Sequence, residues 1–350
     1  MKLKNDISQN NPTYFTKSFG ELKNGEVIDV RTLTNTSGME LTVIDYGATI
    51  QSLKIPVGNQ KIDVVLGFDS LTDYEKSFEL NGTPFHGAVV GLHAGRIKNG
   101  EAEIENTLIQ LQKNSGENHI HGGKVNFSNL KWKLIKIEGN NNPSFTYSLE
   151  TPENFNGYPG KIKATVQYFL LNNNSLKVVF SAETTKTTLI NLTQHSYFNL
   201  DGQKGSVLNQ ELKINSKQYL ETDKDLIPTG TIHSIEKSVY DCFKDFSKCP
   251  EEIDTTFPLK DFHAASLISH SSNLKMNVYT NQPSVHIYIG GTCQESTIGK
   301  ENTNYHKHSG ICFEAQNFPD SPNHLNFPSS ILKKGDRYFS ETIFEFVKIN

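Results

Sequence analysis

The chain has 350 residues, 35% of them hydrophobic and 21% charged, with 25 Gly, 13 Pro and a formal net charge of −4 at pH 7. That composition excludes collagen-like, disordered and membrane-spanning classes. No block of like charge offers a surface for nucleic acid, so the expected partner is a small molecule. The opening stretch, MKLKNDISQNNPTYF, is too polar for the apolar segment of a signal peptide, and no apolar run reaches the ~18 residues of a membrane span. Four cysteines, Cys242, Cys249, Cys293 and Cys312, show neither a CxxC pair nor the density of a secreted disulfide scaffold. The expectation is a cytoplasmic protein with reduced thiols and no membrane partner.

Along the chain the hydrophobic pattern has the period of strands. Short strands are predicted over 41–46 and 132–137, with a turn at 140–142. Over 161–170, Ile162, Ala164, Val166, Tyr168 and Leu170 alternate with Lys161, Lys163, Thr165 and Gln167, which buries one face. Asn172, Asn173, Asn174 and Ser175 make a turn, and Leu176, Val178, Phe180 and Ala182 alternate again, so the two runs read as a hairpin. One short amphipathic helix is predicted from Ile235, Val239, Cys242, Phe243 and Phe246. Further strands follow over 274–279, 285–289, 311–314 and 342–347. No linker divides the chain, so the expectation is one all-β domain over 1–350, a large antiparallel β-sandwich with few short helices.

No GxxxxGK[ST] and no strand-to-helix GxGxxG occurs, which disfavours nucleotide and nicotinamide chemistry, and no GxSxG supports a serine hydrolase. Polar residues concentrate instead in three segments. In the first, Asn118, His119, Ile120, His121, Gly122 and Gly123, a strand would put both histidines on one face. Half of a metal site, loop histidines satisfied by carbonyls, and a ligand contact all remain open there, although no carboxylate follows where a cupin-like metal site needs one. The second segment, 191–200, carries His195 among alternating polar and aromatic residues, where a structural hydrogen-bonding role competes with a catalytic one. The third is 308–320. A strand there points Ile311 and Phe313 to one face and Cys312 and Glu314 to the other, so Glu314 is either an exposed strand-end residue or a carboxylate in apolar surroundings. A carboxylate and a histidine with different resting protonation states suit acid/base chemistry. The residues by themselves go no further.

Several stretches in order are recognisable: DYGATI at 45–50, DVVLGFD at 63–69, NHIHGG at 118–123, FNGYPG at 155–160, NLTQHSYFNL at 191–200, LIPTG at 226–230 and KHSGICFEAQNFPDSPN at 307–323. From about 41 to 347 the chain resembles the aldose 1-epimerases, also called galactose mutarotases. The resemblance implies a galactose mutarotase-like supersandwich that interconverts the α and β anomers of a free aldohexose with no cofactor and no metal. It implies Glu314 as general base on the anomeric hydroxyl, His195 as general acid on the ring oxygen, and His121, Arg96, Asp254 and His286 as substrate-binding residues. The expected partner is a small aldose, bound by a monomer or homodimer.

The chain departs from the family pattern at Leu92, where an arginine is usual, around Asp254, which is flanked by Ile253, Thr255 and Thr256, and at His286, a position often held by Gln. Two other functions stay open: a hexose-phosphate mutarotase, which needs a basic cluster not visible near these motifs, and a non-catalytic carbohydrate-binding protein on the same fold.

Overall fold

The computed structural model describes residues 13–80, 82–139, 142–244, 249–290 and 298–349. Three antiparallel sheets dominate. An eight-stranded sheet runs in the order Lys133–Glu138, Ser144–Glu150, Ile162–Leu171, Ser175–Thr184, Tyr338–Lys348, Leu274–Thr280, His263–Ser269 and Glu211–Ile214. A five-stranded sheet takes Thr13–Glu21, Val27–Thr34, Glu40–Ile44, Thr49–Val57 and Gln60–Asp63 in sequence order. A four-stranded sheet has the order Tyr197–Phe198, Ile311–Gln316, Ser284–Ile289 and Ile253–Pro258.

Period-2 patterning decides which face each strand buries. In Ile162–Leu171 the five alternating apolar residues are all buried while Lys163 is exposed, and Ser175–Thr184 repeats the pattern. The hairpin between them turns at Asn174, whose φ of 60° is a left-handed conformation that asparagine tolerates well. The inner faces meet in one core that includes Leu41, Ile50, Trp132, Phe145, Tyr168, Leu189, Ile287 and Phe344, drawn from all three sheets. Each such side chain contributes about 1.5–3 kcal/mol relative to exposure. Two of its aromatic residues pair their polar atoms with backbone: the Trp132 indole donates to Phe127 O at 2.9 Å and the Tyr168 hydroxyl to Ala48 O at 2.7 Å.

All eight predicted strands are present. The helix expected over 235–246 is not. Strand Pro228–Ser234 ends just before it, Lys237 adopts a φ of 62°, Val239 is 64% exposed, and among the described residues of this stretch only a 3₁₀ turn, Asp241–Lys244, forms. Phe246 lies outside the described residues. The α-helix among the described residues is Leu71–Ser77, capped by Ser70, whose side chain accepts from Asp73 N. The expectation of reduced thiols is corrected for one pair: Cys242 and Cys249 form a disulfide, their Cα atoms 5.0 Å apart across a separation of seven residues. Cys293 lies outside the described residues, and Cys312 is buried.

His93, at 0% exposure, is pushed down to about 3, first by burial and then by the nearby His119. It is therefore neutral in the fold but takes up a proton near 6.5 when unfolded. The sign follows: this group has no effect on stability above about pH 6.5 and destabilises the fold progressively as pH falls from there toward about 3, by about 1.4 kcal/mol per pH unit. His93→Leu should therefore show a smaller drop in Tm than wild type between about pH 7 and about pH 4.5. Equal drops would mean that His93 is not neutral in the folded protein.

Candidate active site

The four-stranded sheet forms the floor of a cleft. Its register places Thr256 opposite His286 and His286 opposite Glu314, and it aligns Asp254, Tyr288, Cys312 and Tyr197 in the adjacent row. Because side chains alternate, these rows share one face, while Ile287, Phe313, Val285 and Ala315 take the other. All of that second group are buried, and Ile287, Phe313 and Val285 join the main core. Glu314 is thus a carboxylate 2% exposed on a strand that is otherwise largely apolar.

Three further segments form the walls. Arg96–Ile97 pairs with His119–Ile120, and the chain then turns through His121 at a φ of 52°. Gly95 N–H donates to His121 Nδ1 at 3.2 Å, so in the neutral ring the proton resides on Nε2. His195 lies between the short strands Thr193–Gln194 and Tyr197–Phe198, held by its own N–H to Ala88 O at 2.9 Å and by Gly87 N–H to its carbonyl at 3.0 Å. The segment at 226–228 supplies Leu226 and Pro228 to the rim. The cleft has a volume of about 470 Å³, within the range of small-molecule sites.

At its base His195 Nε2 is 3.5 Å from Glu314 Oε1, and His195 Nδ1 is 3.5 Å from Cys312 Sγ. Glu314 Oε2 is buried without a hydrogen-bond partner among the described residues. On one side His286 Nε2 lies 3.0 Å from Asp254 Oδ1 and His286 Nδ1 lies 2.8 Å from Thr256 Oγ1, with Arg96 Nη1 4.0 Å from Asp254 Oδ2. Phe85 packs against both His121 and His195, with ring centroids 5.0 and 5.7 Å away.

Electrostatics separates the three imidazoles. His121 is held well below the ordinary histidine value, first by burial and then by His195 and Arg96. Burial also lowers His195, against the opposing pull of Glu314. For His286 burial again disfavours the proton, but its hydrogen bond to Asp254 and the charges of Asp254 and Glu314 prevail, so it is raised. Asp254 is correspondingly lowered: burial pushes it up, and His286 and Arg96 outweigh that.

The cleft thus brings together Glu314, His195, His121, Arg96, Asp254 and His286, the six residues singled out in the sequence. It separates the two histidines of the 118–123 segment. The strand ends at Ile120, and His119 turns inward to Tyr158 Oη at 2.7 Å and Gln112 O at 2.6 Å, a structural role. Of the departures, Leu92 is fully buried in the core, and Thr255 points away from the cleft to Tyr240 Oη at 2.7 Å, so only Thr256 and His286 line it. Phe85 and Gln316 also line the cleft without being among the candidates named from the sequence. Cys312 and Gln316 share the strand face of Glu314 and so were legible by alternation, whereas Phe85, at a φ of 52°, had no sequence signal. His121, His195 and Glu314 also present donor atoms within 4.8 Å of one another, the one such three-residue group among the described residues.

An antiparallel sandwich with an open cleft, whose floor carries a buried histidine and carboxylate within reach of each other, defines a class of protein built for proton transfer on a small polar ligand. Comparison with known proteins is specific. The aldose 1-epimerase family profile matches residues 29–345, and the chain belongs to that family. It is 34% identical to a galactose mutarotase of Bos taurus over 341 residues, covering 94% of this chain and 97% of that protein. It is 29% identical to an aldose 1-epimerase of Escherichia coli K12, covering 92% and 96%. Among solved structures, a galactose 1-epimerase from Lactobacillus acidophilus superposes with a TM-score of 0.84 at 26% identity, covering 97% of this chain and 99% of that one.

The protonation pattern is testable by nitrogen-detected NMR of the imidazoles. His121 should remain neutral through the neutral pH range as the Nε2–H tautomer, and His286 should keep its proton above the ordinary histidine value of about 6.5. A protonated His121 at neutral pH, or a His286 that titrates below His195, would contradict it.

Proposed function

We propose that this protein is an aldose 1-epimerase that interconverts the α and β anomers of a free aldohexose such as galactose or glucose, with Glu314 as general base and His195 as general acid. The observation that carries the assignment is the His195–Glu314 pair, 3.5 Å apart and nearly closed to solvent at the floor of the cleft. Glu314 takes the proton of the anomeric hydroxyl while His195 gives one to the ring oxygen. The C1–O5 bond breaks, the open aldehyde rotates about C1–C2, and reclosure onto the other face returns both protons with the roles exchanged. His121, neutral with Nε2–H, is a donor for the sugar oxygen near these two. Of the three clustered groups, His195 and Glu314 are assigned here to proton transfer and His121 to binding the sugar, roles that require no metal.

Burial makes His195 hold its proton weakly, which suits an acid that must give it up. Near neutral pH the free cleft therefore holds His195 mainly as neutral imidazole. The activity of the pair then depends on a minority protonation state.

Among the residues lining the cleft, Arg96 is the single Lys or Arg, and it already faces Asp254. A phosphate would lack a cationic cluster, which favours free aldoses over hexose phosphates. A purely binding protein would have no need of a buried acid/base pair. No helix among the described residues is long and apolar enough to cross a membrane. A cytoplasmic location is the expectation from the sequence, while the Cys242–Cys249 disulfide favours an oxidising compartment.

Polarimetry of freshly dissolved α-galactose should show relaxation far above the spontaneous rate, and Glu314→Gln or His195→Asn should lower kcat by about 10²- to 10⁴-fold. If the wild type binds galactose but leaves the spontaneous rate unchanged, the binding-protein reading replaces this one. The pH profile of kcat/KM should be bell-shaped. Its alkaline limb should lie below the ordinary histidine value of about 6.5, because His195 loses its proton as pH rises through a lowered value. A flat profile from about pH 5 to about pH 9 would remove the acid/base assignment.

A further inference from the structure

The cleft holds an ion pair that the proton-transfer scheme does not use. Both ring nitrogens of His286 are engaged by protein, Nε2 by Asp254 Oδ1 at 3.0 Å and Nδ1 by Thr256 Oγ1 at 2.8 Å. Its side chain is 13% exposed against 28% for Asp254, so the carboxylate rather than the imidazole presents acceptor capacity to a ligand. Asp254 Oδ2, 4.0 Å from Arg96 Nη1, lies beyond direct hydrogen-bond range of the guanidinium and keeps lone pairs for another donor.

We propose that His286 is a positioning residue for substrate binding: by bridging Thr256 and Asp254 it fixes the Asp254 carboxylate in the orientation that accepts hydroxyl hydrogen bonds from the aldose, without contacting the sugar through its own nitrogens. The inference rests on reading the cleft as an aldose site. It differs from the sequence expectation, in which His286 touches the sugar. The charged and titratable groups facing His286 are Asp254 on its neighbouring strand Ile253–Pro258, Glu314 on Ile311–Gln316 and Arg96 from the cleft wall, with His195 and His121 farther along the cleft.

The bridge also sets the polarity of a hydroxyl. When His286 is charged, both nitrogens donate, Thr256 Oγ1 accepts from Nδ1–H, and the threonine's own proton is left for a ligand oxygen. When His286 is neutral with Nε2–H on Asp254, Nδ1 becomes an acceptor and captures that proton, so the cleft loses one donor. Affinity for the sugar should therefore weaken as pH rises through the titration of His286, above the ordinary histidine value.

The test measures kcat and KM for galactose mutarotation, and Kd for galactose by calorimetry, from about pH 6 to about pH 9. Wild type is compared with His286→Ala, His286→Gln and Thr256→Val, with thermal melts confirming that each is folded. His286→Ala should raise KM and Kd about tenfold or more while kcat falls less than about threefold, as expected for loss of a hydrogen bond to a charged group. His286→Gln, whose amide can donate to Asp254, should recover most of that affinity but lose the alkaline rise in KM. Thr256→Val should lose that rise too.

The proposal is overturned if His286→Ala binds galactose as wild type does, or if its loss falls on kcat alone. It is also overturned if His286→Gln, melting like wild type, binds as poorly as the alanine variant. Failure of the underlying reading looks different: a wild type that binds galactose without catalysis still lets the Kd comparison judge His286, and a wild type that binds no aldose overturns both.

Discussion

Antiparallel pairing puts one residue of each strand opposite one of the next, and in the four-stranded sheet that register brings Thr256, His286 and Glu314 into a single row. Everything proposed for the cleft depends on it. A slip of one residue would turn Phe313 toward the cleft and bury Glu314 in the core, because side chains alternate with a period of two. The register is held by the opposite face of the same strands, where Ile253, Phe257, Ile287, Val285 and Phe313 belong to the main core. The cost of burying a carboxylate there would be several kcal/mol, so the core enforces the geometry of the polar face.

On that floor, similar groups acquire different characters from their neighbours. His121 is enclosed among apolar and cationic surroundings and remains a neutral donor, its tautomer set by the Gly95 N–H. His195 is equally enclosed but faces Glu314, so burial and an opposing charge compete over its proton. His286 is also enclosed, yet a direct bond to Asp254 wins over burial. Three histidines in one cleft therefore divide into a neutral donor, a weakly held proton and a charged partner. Phe85 contributes to the first two by packing against both rings, which excludes water from them.

The strands were legible in the sequence because each buries one face, and alternation such as that from Ile162 to Leu170 is a local property of the chain. The helix expected near 235–246 failed because apolar spacing alone does not say what will cover it: Val239 ends 64% exposed, beside a disulfide-closed loop. The six site residues were named from motifs, and the strand-face argument already paired Cys312 with Glu314. That His119 and His121 part company was not legible, since it turns on the left-handed backbone at His121 and on a distant Tyr158.

The sequence by itself determined the fold class, the family and the chemical types assembled in the cleft, because patterning and ordered motifs are carried by near neighbours along the chain. Only the tertiary structure decided which atoms meet: His195 Nε2 with Glu314 Oε1, and His286 with Asp254 and Thr256. Those pairings join residues 30 to 119 positions apart in the chain. Their protonation states follow from burial and distance, which exist only once the sheets have packed.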